Sequence, residues 1–161
     1  MLFRSLNTLT NDFIYYFEKG LRTNKFGIPS GVFSANNTRS SKVEAYYNSN
    51  ISKLLSLKAL EAVENFFIGQ SYNSSSSGKS LKDYIEYMTE DTVLTSAIIN
   101  KFDESNELIN GLNDNFVSQI NSNNSLMIAV FNKLQEGVIL LKTDMLSVLS
   151  ISVDYIDADG D

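Results

Sequence analysis

Residues 126–148 read LMIAVFNKLQEGVILLKTDMLSV, and within them Leu126, Val130, Leu134, Val138, Leu141, Met145 and Val148 return every three or four positions. That interval matches the turn of an α-helix and gathers the apolar side chains into one stripe. Gly137 is the weak point of the run, because glycine in a helix interior carries an entropic cost. A stripe of this kind must be covered by another element, and the flanking sequence offers covers of the same type.

Upstream, Leu94, Ile98, Phe102, Ser105, Ile109 and Leu112 keep helical spacing, while Asn113–Asn115 and Asn121–Asn124 bracket a short piece around Phe116 and Ile120. Ser80, with Asp83 three residues on, opens a further segment that Glu90-Asp91-Thr92 breaks or kinks. Between Gly69 and Ser80 the run Ser74-Ser75-Ser76-Ser77-Gly78 has nothing to bury and reads as a flexible connection. A second helix is predicted from Ser41 to about Ile68, where Gly69 stops it. Ser41 and Glu44 fit a capping box at its start, and Val43, Tyr47, Ile51, Leu54, Leu57, Leu60, Val63 and Phe67 form its inward face. Residues 22–40 read as loop, on the strength of Asn24, Gly27, Pro29, Ser30, Gly31, Asn36 and Asn37. Leu2, Leu6, Leu9, Phe13, Phe17 and Leu21 make the stripe of a first helix that ends near Gly20. Several amphipathic stripes with almost no strand signal predict an all-α, up-down bundle of the four-helix type, with residues 1–161 forming a single domain.

At 161 residues, 43% hydrophobic and 20% charged, the chain has the balance of a globular domain with a real core. Its net charge of -6 repels phosphate backbones, so no nucleic-acid partner is expected. Histidine and cysteine are both absent. Disulfides, thiolate or imidazole metal sites and imidazole-dependent triads therefore cannot be built from this chain alone. No apolar window approaches the length of a transmembrane helix. Met1-Leu2-Phe3-Arg4 lacks the basic stretch, apolar core and cleavage site of an export signal, which predicts either a cytoplasmic protein or a chain that begins inside a longer one.

Few side chains invite chemistry. Glu44 is a candidate ligand or general base, although its place in a predicted first helical turn is already explained by capping and the helix dipole. Asp144 either points into a cleft or forms a solvated pair with Lys142. Tyr15, Tyr16, Tyr46, Tyr47, Tyr84 and Tyr87 come in doublets or near neighbours, the usual pattern of rings packed at a rim with wet hydroxyls. Asp157-Ala158-Asp159-Gly160-Asp161 begins like a calcium loop but lacks its later ligands, so a frayed acidic end is expected. The Asn-x-Ser/Thr triplets at Asn36, Asn50, Asn73 and Asn123 are what chance yields in so Asn- and Ser-rich a chain.

Three stretches taken together carry a family resemblance: Lys25-Phe26-Gly27-Ile28-Pro29-Ser30-Gly31, Lys42-Val43-Glu44-Ala45-Tyr46-Tyr47-Asn48-Ser49-Asn50, and Leu141-Lys142-Thr143-Asp144-Met145 followed by the closing Asp159-Gly160-Asp161. In order and separation they resemble the C-terminal half of imelysin-like proteins, the version in Bacteroidetes-type lipoproteins most of all. The resemblance implies a protein of two similar four-helix bundles, exported to the periplasm or outer membrane, with a ligand site between the bundles. On this reading the chain is the second bundle and its partner is an N-terminal imelysin-like bundle. The family was first classed as metallopeptidases for a Gly-x-His-x-x-Glu motif, and a non-catalytic role in iron or haem uptake is now favoured. That motif does not occur here, so the alternative is a metallopeptidase whose metal ligands lie in a missing N-terminal region. The positions that match by motif are Pro29, Gly31 and Glu44, then Tyr47 and Asp144. Ala45 and Asn48 depart from the small hydroxyl residues expected beside the family's Glu.

Overall fold

The computed structural model describes residues 2–72 and 74–155. The acidic end Asp157–Asp161 and the triplet at Asn73 thus lie outside the described residues. Those described form five helical rods. The first joins α1 (Leu2–Tyr15), a π-helical segment (Tyr16–Gly27) and the short α2 (Ile28–Ser30). Next come α3 (Ser52–Ile68), α4 (Leu81–Thr89) and α5 (Val93–Asn110). The last rod runs through α6 (Phe116–Ile139), a second π-helical segment (Leu140–Met145) and α7 (Leu146–Leu149). Among the described residues the extended pairing is a single isolated bridge, Gln70 with Ser77, so the all-helical expectation holds.

First and last rods run antiparallel against each other: Glu18 meets Lys142, Arg22 meets Gln135, and the Ser30 carbonyl meets Asn124. Phe13, Phe17, Phe67 and Phe102 interlock at the centre, with Phe17–Phe102 and Phe67–Phe102 edge-on at 5.5 and 5.8 Å. Phe26 and Phe116 close the core at the other end, 5.5 Å apart. Edge and tilted arrangements suit the ring quadrupoles and add to the burial of apolar area.

Three boundaries follow the sequence closely. Gly69 ends α3 at φ 74°, the left-handed geometry glycine adopts without a Cβ penalty. Ser80 and Asp83 form a reciprocal capping box at the start of α4. Thr89 ends that helix, and Glu90 turns the chain at φ 58°. Within α6 the backbone leaves helical geometry at Asn123 (φ -155°, ψ 84°), which divides the short Phe116 piece from the long helix as the asparagine clusters imply. Gln119 braces that break by accepting from the Asn113 N–H and donating to the Asn123 carbonyl.

Elsewhere the structure corrects the sequence reading. Gly20 does not end the first helix, and residues 22–30 are helical rather than loop, because Leu21, Arg22, Thr23, Phe26 and Pro29 are all buried. Phe17, Leu21 and Phe26 stand four and then five residues apart, a spacing too long for an α-helix but natural to one with i→i+5 bonds. Such a bond joins the Ile28 N–H to the Thr23 carbonyl. Pro29, which has no N–H to give, enters at the start of the α2 turn, where none is required. The predicted helix start at Ser41 is also wrong, since residues 40–51 form two short 3-10 turns and α3 begins at Ser52. Instead of capping a helix, the Glu44 carboxylate pairs with Lys25. Tyr47 and Leu54, expected to face inward, are exposed. Nor is the serine run simply loose: the Ser71 N–H donates to the Ser76 carbonyl and the Gly78 N–H to that of Gly69, closing the connection into a turn.

Gly137 admits the Phe17 ring. A Cβ there would lie 3.1 Å from two carbons of a ring that is fully buried and held by Phe102. Overpacking costs about 1–3 kcal/mol, against a gain of about 1 kcal/mol in helix propensity. Gly137→Ala should therefore destabilise the protein by about 1 kcal/mol, read as a lower urea midpoint.

A square of charges ties α5 to the last rod, with Lys101 to Glu104 and Glu136 at 2.8 and 3.0 Å and Lys133 to the same two at 3.0 and 2.9 Å. Hydrogen bonds from the lysines, Lys101 first for Glu104 and Lys133 first for Glu136, hold both carboxyls below the ordinary glutamate range. As pH falls, the unfolded chain takes up protons at these sites before the folded one, so their contribution, present above the ordinary range, fades in acid. The Glu104→Gln, Glu136→Gln double variant should show a flatter acid limb in a plot of urea midpoint against pH, and high salt should flatten the parent in the same way.

Candidate functional site

The five positions singled out by the sequence fall at separate places. Pro29 and Gly31 close the first rod. Gly31 takes φ 85°, and a Cβ on it would stand 2.6 Å from the Asn37 carbonyl oxygen. The Pro29 carbonyl accepts from the Arg39 N–H at 2.8 Å, which folds the following loop back over the rod. That return brings Glu44 to Lys25: the lysine is 10% exposed and the glutamate 47%. Ser52 then fixes the local backbone by donating to the Glu44 carbonyl at 3.1 Å. Pro29 and Gly31 thus begin, and Glu44 ends, the return of the chain over the first rod. Tyr47 stands fully exposed nearby in the chain, its ring edge-on to Tyr46 at 5.3 Å.

Asp144 belongs to the other end of the antiparallel pair. It is exposed and accepts from the Thr143 hydroxyl at 3.1 Å. Lys142, the neighbour with which a solvated pair was expected, turns instead toward Glu18. From the level of Glu18 to Pro29 is eleven residues of rod, on the order of 15 Å, so Asp144 does not meet that return.

A second constellation escaped the sequence reading. Glu18 is 2% exposed and Arg22 1%, on the π-helical turns between Phe17 and Phe26. The Glu18 carboxylate accepts from Arg22 Nη2 at 3.4 Å, from Lys142 Nζ at 3.3 Å and from the Tyr155 hydroxyl at 3.1 Å. Arg22 also donates to Gln135, and its guanidinium lies over the Phe131 ring at 4.9 Å. Lys142 sits over the Tyr155 ring at 5.3 Å. Tyr155 reaches this place because Asn11, itself buried, grips the extended segment after α7: its amide donates to the Ser152 carbonyl and its oxygen accepts from the Asp154 N–H. One signal for the cluster was present. Glu18 and Arg22 stand four apart beside the apolar stripe, and such a pair on a buried face must find partners.

A smaller hollow of about 200 Å³ between α3 and α5 is edged by Glu61, Glu64, Asn106 and Asn110. Partial burial, then the nearby Asp103 and Glu61 charges, raise the Glu64 carboxyl above its ordinary value. Among the described residues, no three Asp or Glu side chains converge as a metal-ligand set. No helix of the described chain is long and apolar enough to cross a membrane. No family model matches the chain, and no curated protein or solved structure is significantly similar to it.

The buried cluster acts on stability. Removing the charge of Glu18 leaves a buried guanidinium and an ammonium without their shared carboxylate, and breaking a buried pair costs on the order of 3 kcal/mol. Glu18→Gln should lower the unfolding free energy by that much, read as a lower urea midpoint at unchanged slope, while adding Lys142→Met should recover part of the loss; an unchanged midpoint in Glu18→Gln would mean the cluster does not hold the rods together.

Proposed function

We propose that this chain is a non-catalytic binding bundle of the imelysin-like kind, an up-down four-helix bundle with the short α4 as a brace. In this reading it is exported to the periplasm or outer membrane and supplies one wall of a site, shared with a second bundle, that takes up iron or haem. The observation that supports it is the corner where two of the resembling stretches meet. Lys25 and Glu44 are nineteen residues apart and form an ion pair there. Lys25 is largely buried and anchors a carboxylate that remains half open to solvent, the arrangement expected of a wall that faces a partner. Because no metal-ligand set converges among the described residues, the remaining ligands come from the opposite wall.

Calorimetric titration of a protein containing both bundles with ferric citrate, and separately with haemin, tests this. Saturable binding of one of them is expected, with little or none to the present chain alone. Glu44→Gln should weaken the binding about tenfold, or about 1.4 kcal/mol, while costing less than about 1 kcal/mol of stability because the pair is partly exposed. Failure of the two-bundle protein to bind either ligand overturns the proposal.

A further inference from the structure

Away from both charged sites, a cavity of about 820 Å³ opens between the start of α1, the end of α3 and the turn leading to α4. Its walls are largely apolar, with Leu6, Leu9, Phe66 and Leu81 prominent among them. A second hollow of about 290 Å³ shares Leu9 and Phe66 with it and continues along the α1–α3 seam past Phe13 to Tyr16. Leu6 to Tyr16 is ten residues of rod, so the joined trough is on the order of 15 Å long. Its volume is that of a ligand pocket, but its shape is that of a chain rather than a ring system.

Polar groups gather at one end. Ser71, Ser76 and Ser77 line the turn, and Lys79 stands on the rim. Asp83 is the carboxylate whose charge Lys79 influences, and it is already committed to the Ser80 cap, accepting from both the Ser80 N–H and hydroxyl. Lys79 makes no hydrogen bond or ion pair among the described residues, which leaves its ammonium available to an incoming anion. At the opposite end the seam reaches Asp12, which disfavours a second anionic group there. A molecule matching this polarity has one negative head and one apolar tail.

We propose that the trough binds a single-chain anionic amphiphile of the fatty-acid class, with its carboxylate on Lys79 and its alkyl chain laid over Leu9, Phe66 and Phe13. The site uses neither Glu44 nor a second bundle, and so stands independently of iron or haem binding. Leu9 and Phe66 are 48% and 42% exposed without a ligand, and covering them supplies the driving force.

The test is calorimetric titration of the intact chain with laurate monomer, alongside dodecyltrimethylammonium as the same tail with the opposite charge. Laurate should bind with a Kd on the order of 10 μM, and the cationic amphiphile at least about tenfold more weakly. Lys79→Gln should weaken laurate about fivefold and, by removing the like charge, strengthen the cationic probe so that the gap between the two narrows. Leu9→Glu, a change at an exposed position with folding checked by circular dichroism, should weaken laurate more than about tenfold by placing a charge against the tail. Equal affinity for the two head groups, full affinity in folded Leu9→Glu, or binding to anionic-lipid vesicles in place of laurate monomer would each overturn the proposal.

Discussion

The Glu18 carboxylate is the point on which the arrangement of the rods turns. It lies in the interior, where an unpaired charge is costly, and it is tolerated because Arg22, Lys142 and Tyr155 all donate to it. Those three donors come from the first rod, the last rod and the segment beyond α7. A hydrophobic core alone permits helices to slide by a turn, since one leucine replaces another at little cost. Here a one-turn slip of the last rod would carry Lys142 away from its acceptor, so the cluster sets register even where a packed apolar core would give equal stability.

The π-helical geometry belongs to the same constraint. Wider turns over Tyr16–Gly27 put Phe17, Glu18, Leu21, Arg22 and Phe26 all inside, a broader buried face than an α-helix offers to residues at these spacings. The second π segment, Leu140–Met145, carries Lys142 toward Glu18 from the opposite direction. Phe17 bridges the polar and apolar parts of this interior. It follows Tyr16 into the first π turn, packs edge-on to Phe102, and fills the space that Gly137 leaves on the last rod.

This division explains what the sequence discloses and what it hides. The stripes of α3, α5 and α6, the stop at Gly69 and the cap at Ser80 are local matters of period, side-chain capping and backbone freedom, and they are legible. Residues 22–30 are not, because their glycine and proline count as breakers in an α-helix, whereas Gly27 closes the π turns and Pro29 stands at the start of α2, where no N–H is required. The capping pattern at Ser41 and Glu44 misleads for a related reason. A local hydrogen bond competes there with Lys25, a largely buried cation nineteen residues away that needs an anion more than an N–H needs a cap. Of the five candidate positions, Pro29, Gly31 and Glu44 lie along the return of the chain over the first rod, Tyr47 stands exposed just beyond them, and Asp144 lies at the other end of the antiparallel pair. The Glu18 cluster is missed because its members are scattered from Asn11 to Tyr155, and no short window contains more than two of them.

Rigidity and openness are therefore separated along the molecule. Around Glu18 the charges face one another in the interior, an arrangement suited to fixing register and poor at receiving a ligand, because a new partner for the Glu18 carboxylate must displace one of its three donors. Glu44 is different: its anchor Lys25 is largely buried while half of its own surface remains open, so it can take a further partner from solvent while keeping Lys25 paired. The trough beside α1 is different again, since Leu9 and Phe66 stay in water and gain by being covered. A helical bundle that binds anything has to leave such unfinished surface somewhere, and in this chain it lies at the Lys25–Glu44 corner and in the α1–α3 seam rather than at the interior charges that first attract attention.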